Sequence, residues 1–308
     1  MPRDLTPYYL YIIEGSVIIF LSASLATVIL VTPRFVKQKE YVLLAINVLF
    51  DAVFGLQYLL EGNYLLGVYT TYKDVIPMTT RWYCYTAVAS QIMIILTPAI
   101  GLMAFANALD RLFMITYPGK YNKLGVSYPL LILCAVIICS LPTTIMAFIE
   151  VYAARDEEQP QTCLLQRTIS PFLQYATRII RIGATLAAVP LYIPILYKVR
   201  TVLRHSGAVG NTQKREIKLT LTIALITVNQ VALFTVPDIL VLVSSASFVY
   251  FVMNLNKGVI NLFIILYCQR DIRHHIFTCG KARSRLTSRT TAVGQKTETK
   301  AGSGLPVS

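Results

Sequence analysis

The chain has 308 residues, of which 55% are hydrophobic and 14% charged, with a net charge of +13. A soluble protein would carry about 25% charge and share its apolar residues between core and surface. Here the apolar residues fall in long blocks with the basic residues between them, which excludes an ordinary soluble domain and argues against a nucleic-acid binder.

Seven apolar blocks follow in order: Tyr8–Thr32, Tyr41–Leu60, Ala87–Leu109, Val126–Phe148, Phe172–Tyr197, Leu219–Val243 and Phe248–Tyr267. Each is long enough to cross a hydrocarbon layer of ~30 Å as a helix. The first is too long for a signal-peptide core and lacks a small-residue cleavage pattern, so it reads as a span. Pro98, Pro142, Pro190, Pro194 and Pro237 inside the blocks are compatible with helices whose neighbours satisfy the freed backbone groups. The expected fold is all-α, a seven-transmembrane helix bundle. With the N-terminus outside, 20 Lys and Arg fall in the cytoplasmic segments and 5 in the outer ones, which sets the orientation.

Of six cysteines, Cys134 and Cys139 are mid-span, while Cys268 and Cys279 lie at the cytoplasmic end. Cys84 and Cys163 remain alone in an oxidising space and are expected to pair. The outer segment "EVYAARDEEQPQTC" is acidic and expected to be irregular. After the seventh block, "QRDIRHHIFTC" predicts a short amphipathic surface helix with Ile272, Ile276 and Phe277 facing lipid. Cys279 at its end is a candidate for palmitoylation. The remainder is rich in Ser, Thr, Lys and Gly, so residues 1–279 form the membrane domain and 280–308 a disordered cytoplasmic tail. No internal or inverted repeat is visible.

Nothing points to catalysis. There is no metal-ligand cluster, phosphate-binding glycine loop or nucleophile–base arrangement. His205, His274 and His275 sit among basic residues as a solvated surface. The chain is expected to be no enzyme and to carry no cofactor or metal.

One charge stands out. In "NLNKGVINLFIILY", Asn254, Lys257, Gly258 and Asn261 share one helical face. A lysine at the centre of a membrane helix costs roughly 3–10 kcal/mol, so it should face the bundle interior and have a partner. Snorkelling to an interface is the competing arrangement.

The third block ends in "ANALDRLFMITYPGKY", an Asp-Arg pair followed by a proline seven residues after the arginine. The second carries one charge, Asp51 in "LLAINVLFDAVFG". The sixth has Pro237, and the seventh ends in "NLFIILYCQRDIR". Together these features resemble the rhodopsin-like G protein-coupled receptors over residues 8–279, and most closely the divergent nematode serpentine chemoreceptors. Cys84 and Cys163 match that family's outer disulfide.

The resemblance implies an activation switch of Asp110, Arg111, Pro118, Asn261 and Tyr267, which is released when a heterotrimeric G protein enters. It also implies a buried polar core of Asp51, Lys257 and Asn254. Lys257, one turn above Asn261, would face Asp51 and replace the sodium ion often bound there. Ile100 stands at the position of the family's sodium-ligating serine. Other departures are Thr235 in place of a tryptophan toggle, Leu262 in place of a proline, and Tyr267 two residues late.

Met93 occupies the position of the aspartate that binds amines, which argues against a monoamine ligand. The pocket candidates are Met93, Thr97, Gln57, Glu61, Arg178 and Asp238. Arg178 and Arg181 imply either an anionic ligand group or a salt bridge to the acidic outer segment.

The implied function is a plasma-membrane receptor for a small molecule or peptide, of chemosensory or neuromodulator type. Its partners would be a heterotrimeric G protein and membrane lipids. A retinal-binding opsin using Lys257 and a seven-helix transporter are the alternatives. Leu255 at the opsin lysine position, and the lack of an acid between Cys84 and Asp110, count against the opsin.

Overall fold

A computed structural model describes residues 5–73, 75–205, 211–243 and 248–276, and these are almost entirely helical. The long helices are α1 (Thr6–Val31), α3 (Lys39–Tyr72), α5 (Val88–Thr116), α7 (Tyr128–Ala153), α9 (Pro171–His205), α10 (Asn211–Gln230) and α12 (Phe248–Cys268). Short helices α2 (Pro33–Val36), α4 (Arg81–Thr86), α6 (Pro118–Asn122) and α8 (Leu165–Thr168) cap the connections. Beyond α10 the chain passes through a π-helical turn, Val231–Thr235, into α11 (Val236–Val243). Residues 270–276 form a last helical segment.

Among the described residues, six helices are long and apolar enough to cross a membrane, which marks a multi-pass membrane protein. The apolar run of α12 covers Val252–Cys268, and this helix packs against α1, α3 and α10.

Proline punctuates the helices where sequence logic places it, at the first turns of α1, α2, α6 and α7. At Pro237 the ring would clash with the carbonyl of Leu233 in a regular helix. The π-helical turn just before it opens the ladder and absorbs that conflict.

Several helices run past the apolar blocks. The second reaches Tyr72, well beyond Leu60, because Glu61 and Asn63 interrupt hydropathy without interrupting backbone hydrogen bonding. Lys39, a basic residue between the first and second apolar blocks, is buried. Its ammonium lies 3.7 Å from the Tyr121 ring centroid and donates to the carbonyls of Tyr121 and Leu124.

Small residues set the closest approaches. A Cβ on Gly15 would lie 2.7 Å from the Gly55 carbonyl oxygen, so α1 and α3 meet backbone to backbone. A Cβ on Gly101 would lie 2.4 Å from the Arg181 carbonyl oxygen, so α5 and α9 do the same. Apolar side chains fill the rest, with Ile29, Leu44 and Ile195 wholly buried at one end of the bundle.

At the other end, the acidic segment is ordered rather than irregular. Strand β2 (Glu158–Pro160) pairs antiparallel with β1 (Met78–Thr80), with Thr79 opposite Gln159. Cys84 and Cys163 form a disulfide beside this ribbon. Arg81 explains why the acids stay in place. Its Nη1 donates to Glu157 at 3.0 Å, its Nη2 pairs with Glu150, and its Nε donates to the Thr168 carbonyl at 2.7 Å. Trp82 packs on Tyr85, Phe148 and Tyr152 alongside.

The helix at 270–276 departs from expectation. Ile272 is completely buried against the bundle rather than facing lipid, and Ile276 packs on the same cluster. His275 holds the segment there, with its ring edge-on to Phe35 of α2 and its Nε2 3.2 Å from Thr32 Oγ1. Phe277, Cys279 and the tail lie outside the described residues.

Candidate functional site

The site is layered, and α12 supplies its middle. Asn254, Lys257 and Asn261 recur along one buried face, and Gly258 among them lets Ile18 of α1 come close. Lys257 Nζ donates to Asp51 Oδ1 at 2.9 Å, and Asn261 Nδ2 donates to Asp51 Oδ2 at 2.9 Å. Asn229 of α10 completes the layer. Its Nδ2 donates to Asn261 Oδ1 at 2.8 Å and to the Lys257 carbonyl at 3.1 Å. Both carboxylate oxygens of Asp51 are therefore matched, as a buried charge requires. Ile100 lies buried beside this layer.

One turn above, Phe234 sits wholly buried on the π-helical turn. Its ring centroid is 5.2 Å from Lys257 Nζ and 4.4 Å from the Arg181 guanidinium, and the ring packs edge-on against Phe54. Arg181 in turn forms an ion pair with Asp238 of α11. The partner of Arg181 is thus this aspartate, not the acidic outer segment, whose Glu157 is held by Arg81. Phe234 joins two ion pairs stacked along the bundle.

Above the second pair lies a cavity of about 360 Å³, lined by Gln57, Glu61, Met93, Thr97, Arg178 and Asp238 among others. All six pocket candidates therefore border one space, and Asn254 reaches it from below. Gln57 donates to Glu61 and, at 3.6 Å, to Met93 Sδ, while Thr97 donates to the Met93 carbonyl at 2.6 Å. An adjoining cavity of about 260 Å³ shares Gln57, Glu61 and Met93 and extends to Cys163 and the disulfide end.

At the opposite end of α5, Asp110 and Arg111 are buried together. Arg111 Nε donates to Asp110 Oδ2 at 2.8 Å and Nη2 to Tyr121 Oη at 3.3 Å, while Nη1 reaches Met114 Sδ at 3.6 Å. Pro118, at the first turn of α6, starts the helix that brings Tyr121 back over the arginine. Burial pushes the Tyr121 hydroxyl well above the ordinary tyrosine range, against the pull of Arg111, so it stays neutral.

Tyr267 does not join this switch. It is 82% exposed, whereas Ile265 is 1% exposed. Six residues beyond Asn261 on a helix is a third of a turn off its face, and four residues beyond is nearly on it. Two residues that hydropathy reading left without roles, Asn229 and Gln230, prove central. Gln230 Nε2 donates to the Ile100 carbonyl and to Thr185 Oγ1, each at 3.3 Å. Adjacent amides in an apolar helix are the signal that could have found them.

Among the described residues, no His, Cys, Asp and Glu side chains gather in a group able to hold a metal. No protein-family model matches the chain, and no curated protein matches it.

Proposed function

We propose that this chain is a ligand-activated receptor of the rhodopsin-like kind, with α12 as its seventh span and the disulfide end outside, signalling through heterotrimeric G proteins. The observation that carries the reading is Arg111. It is a fully buried guanidinium at the end of α5, held by its neighbour Asp110, by Met114 one turn on and by Tyr121 of the following connection. Buried charge at a helix end is costly even when paired, so its presence there marks a functional position. Withdrawal of α6 would free Arg111 for a partner docking at that end.

Two further features fit. The cavity at the disulfide end has the volume of a small-molecule site. Phe234 and the two ion pairs give that cavity a continuous contact path into the core. The ligand would be sensed at one end and the G protein engaged at the other, in a chemosensory or neuromodulator role at the plasma membrane.

The test is nucleotide exchange on a panel of G proteins in cells expressing the chain. Arg111→Ala should abolish coupling and leave surface expression intact. Equal exchange with and without the protein across all classes and ligands would end this reading, and solute flux in liposomes would replace it with a transporter.

A further inference from the structure

The cavity at the disulfide end contains four charged side chains, and they do not pair off evenly. Arg181 and Asp238 bind each other. Arg178, one turn away on α9, makes no ion pair among the described residues. It borders the cavity beside Arg181, a like charge, and Asp238, which is already engaged. Glu61 on α3 also makes no ion pair among the described residues, and one of its oxygens accepts from the Gln57 amide. Glu61 and Arg178 thus border one cavity as an acidic and a basic side chain that form no salt bridge with each other. Membrane-buried charges are normally matched, and here the match is left to whatever fills the space.

The surroundings differentiate the two ends. Tyr11 and Tyr58 line the cavity together with Glu61, and their rings meet edge to face at 5.2 Å. A carboxylate backed by aromatic rings suits an ammonium. At the other end, a guanidinium that lacks its own carboxylate suits a carboxylate delivered from outside. Among the described residues, Asn254 Oδ1, Arg181 Nε and Asp238 Oδ2 are buried without hydrogen-bond partners, which adds polar capacity near the cavity floor. The absence of an acid at Met93 does not leave the site without an anion, because Glu61 supplies one from a different helix.

We infer that the cavity binds a small zwitterion, an amino acid or short peptide, with its ammonium at Glu61 and its carboxylate at Arg178. The inference rests on the receptor reading for its premise that this cavity is a ligand site. Its test uses no G protein, so each can fail without the other.

The full chain, purified in nanodiscs, is melted in the presence of the L-amino acids, their dipeptides with glycine, and ω-amino acids of graded chain length. At least one probe should raise the melting temperature saturably. N-acetylating or amidating that probe should weaken its binding by roughly tenfold or more, since each change leaves one buried charge unmatched. The variants should cross over. In Glu61→Gln the acetylated and free-amine probes should bind alike, and in Arg178→Gln the amidated and free-acid probes should bind alike. Two results overturn the inference: no saturable shift from any zwitterion in the panel, or acetylated and amidated probes that bind the unmodified protein as tightly as their parents.

Discussion

Two ion pairs sit one above the other in this bundle, on either side of Phe234, and they are built differently. In the lower, Asp51–Lys257, both carboxylate oxygens are occupied and Asn229 braces the asparagine that helps hold them. In the upper, Arg181–Asp238, Arg181 Nε and Asp238 Oδ2 have no hydrogen-bond partners among the described residues, and the pair borders a cavity. A closed network resists change because every rearrangement costs a matched hydrogen bond. An open one has capacity to gain partners. The lower pair is organised as a fixed strut and the upper as a responsive floor, and the ring between them touches both.

The largest effect that would break this contrast is at the strut. Lys257→Met or Asp51→Asn alone strands a buried charge and should cost about 3–5 kcal/mol in thermal or denaturant stability of the purified protein. The double variant should recover much of that loss. Strictly additive losses in the cycle would mean that the two charges do not act on each other.

At the floor, Arg181→Met should cost less, about 1–3 kcal/mol, because Asp238 can turn its free oxygen to cavity water. A loss equal to that of Lys257→Met would erase the distinction between the pairs. Phe234→Leu removes two cation–π contacts and should cost about 1–2 kcal/mol. It should also lower the coupling between floor and strut variants in a double-mutant cycle, which a purely packing role would not do.

The smallest expected effect is none. With the Lys257 ammonium beside Asp51, exchanging sodium for a large organic cation should leave the melting temperature of the unmodified protein unchanged. Lys257→Ala should regain a dependence on sodium. Clear sodium dependence in the unmodified protein would show that the ammonium does not fill the role of an ion there.

Much of the bundle was legible beforehand because its cause is local. Long apolar runs specify membrane-length helices wherever the chain goes, and the charge on Lys257 announces a buried partner from sequence alone. The spacing of Asn254, Lys257 and Asn261 fixes their common face through the helical period. Cys84 and Cys163 were expected to pair by elimination, and they do.

Other features depended on contacts between distant segments. Hydropathy could not show that α3 continues to Tyr72, that the acidic segment is held as a strand by Arg81, or that Lys39 is roofed by Tyr121. For the last two, a charged side chain that reads as a surface signal finds its partner tens of residues away. Tyr267 shows the converse, since a motif read as a string placed it in the switch and helical phase turns it outward. The sequence by itself determined which segments are helices in a membrane and which charges need matching. Only the tertiary structure decided which charges match each other and which are left open at the cavity, because that depends on close approaches such as Gly15 on Gly55 and Gly101 on Arg181. Those approaches set how far apart the side chains of neighbouring helices end up, and no local rule carries that distance.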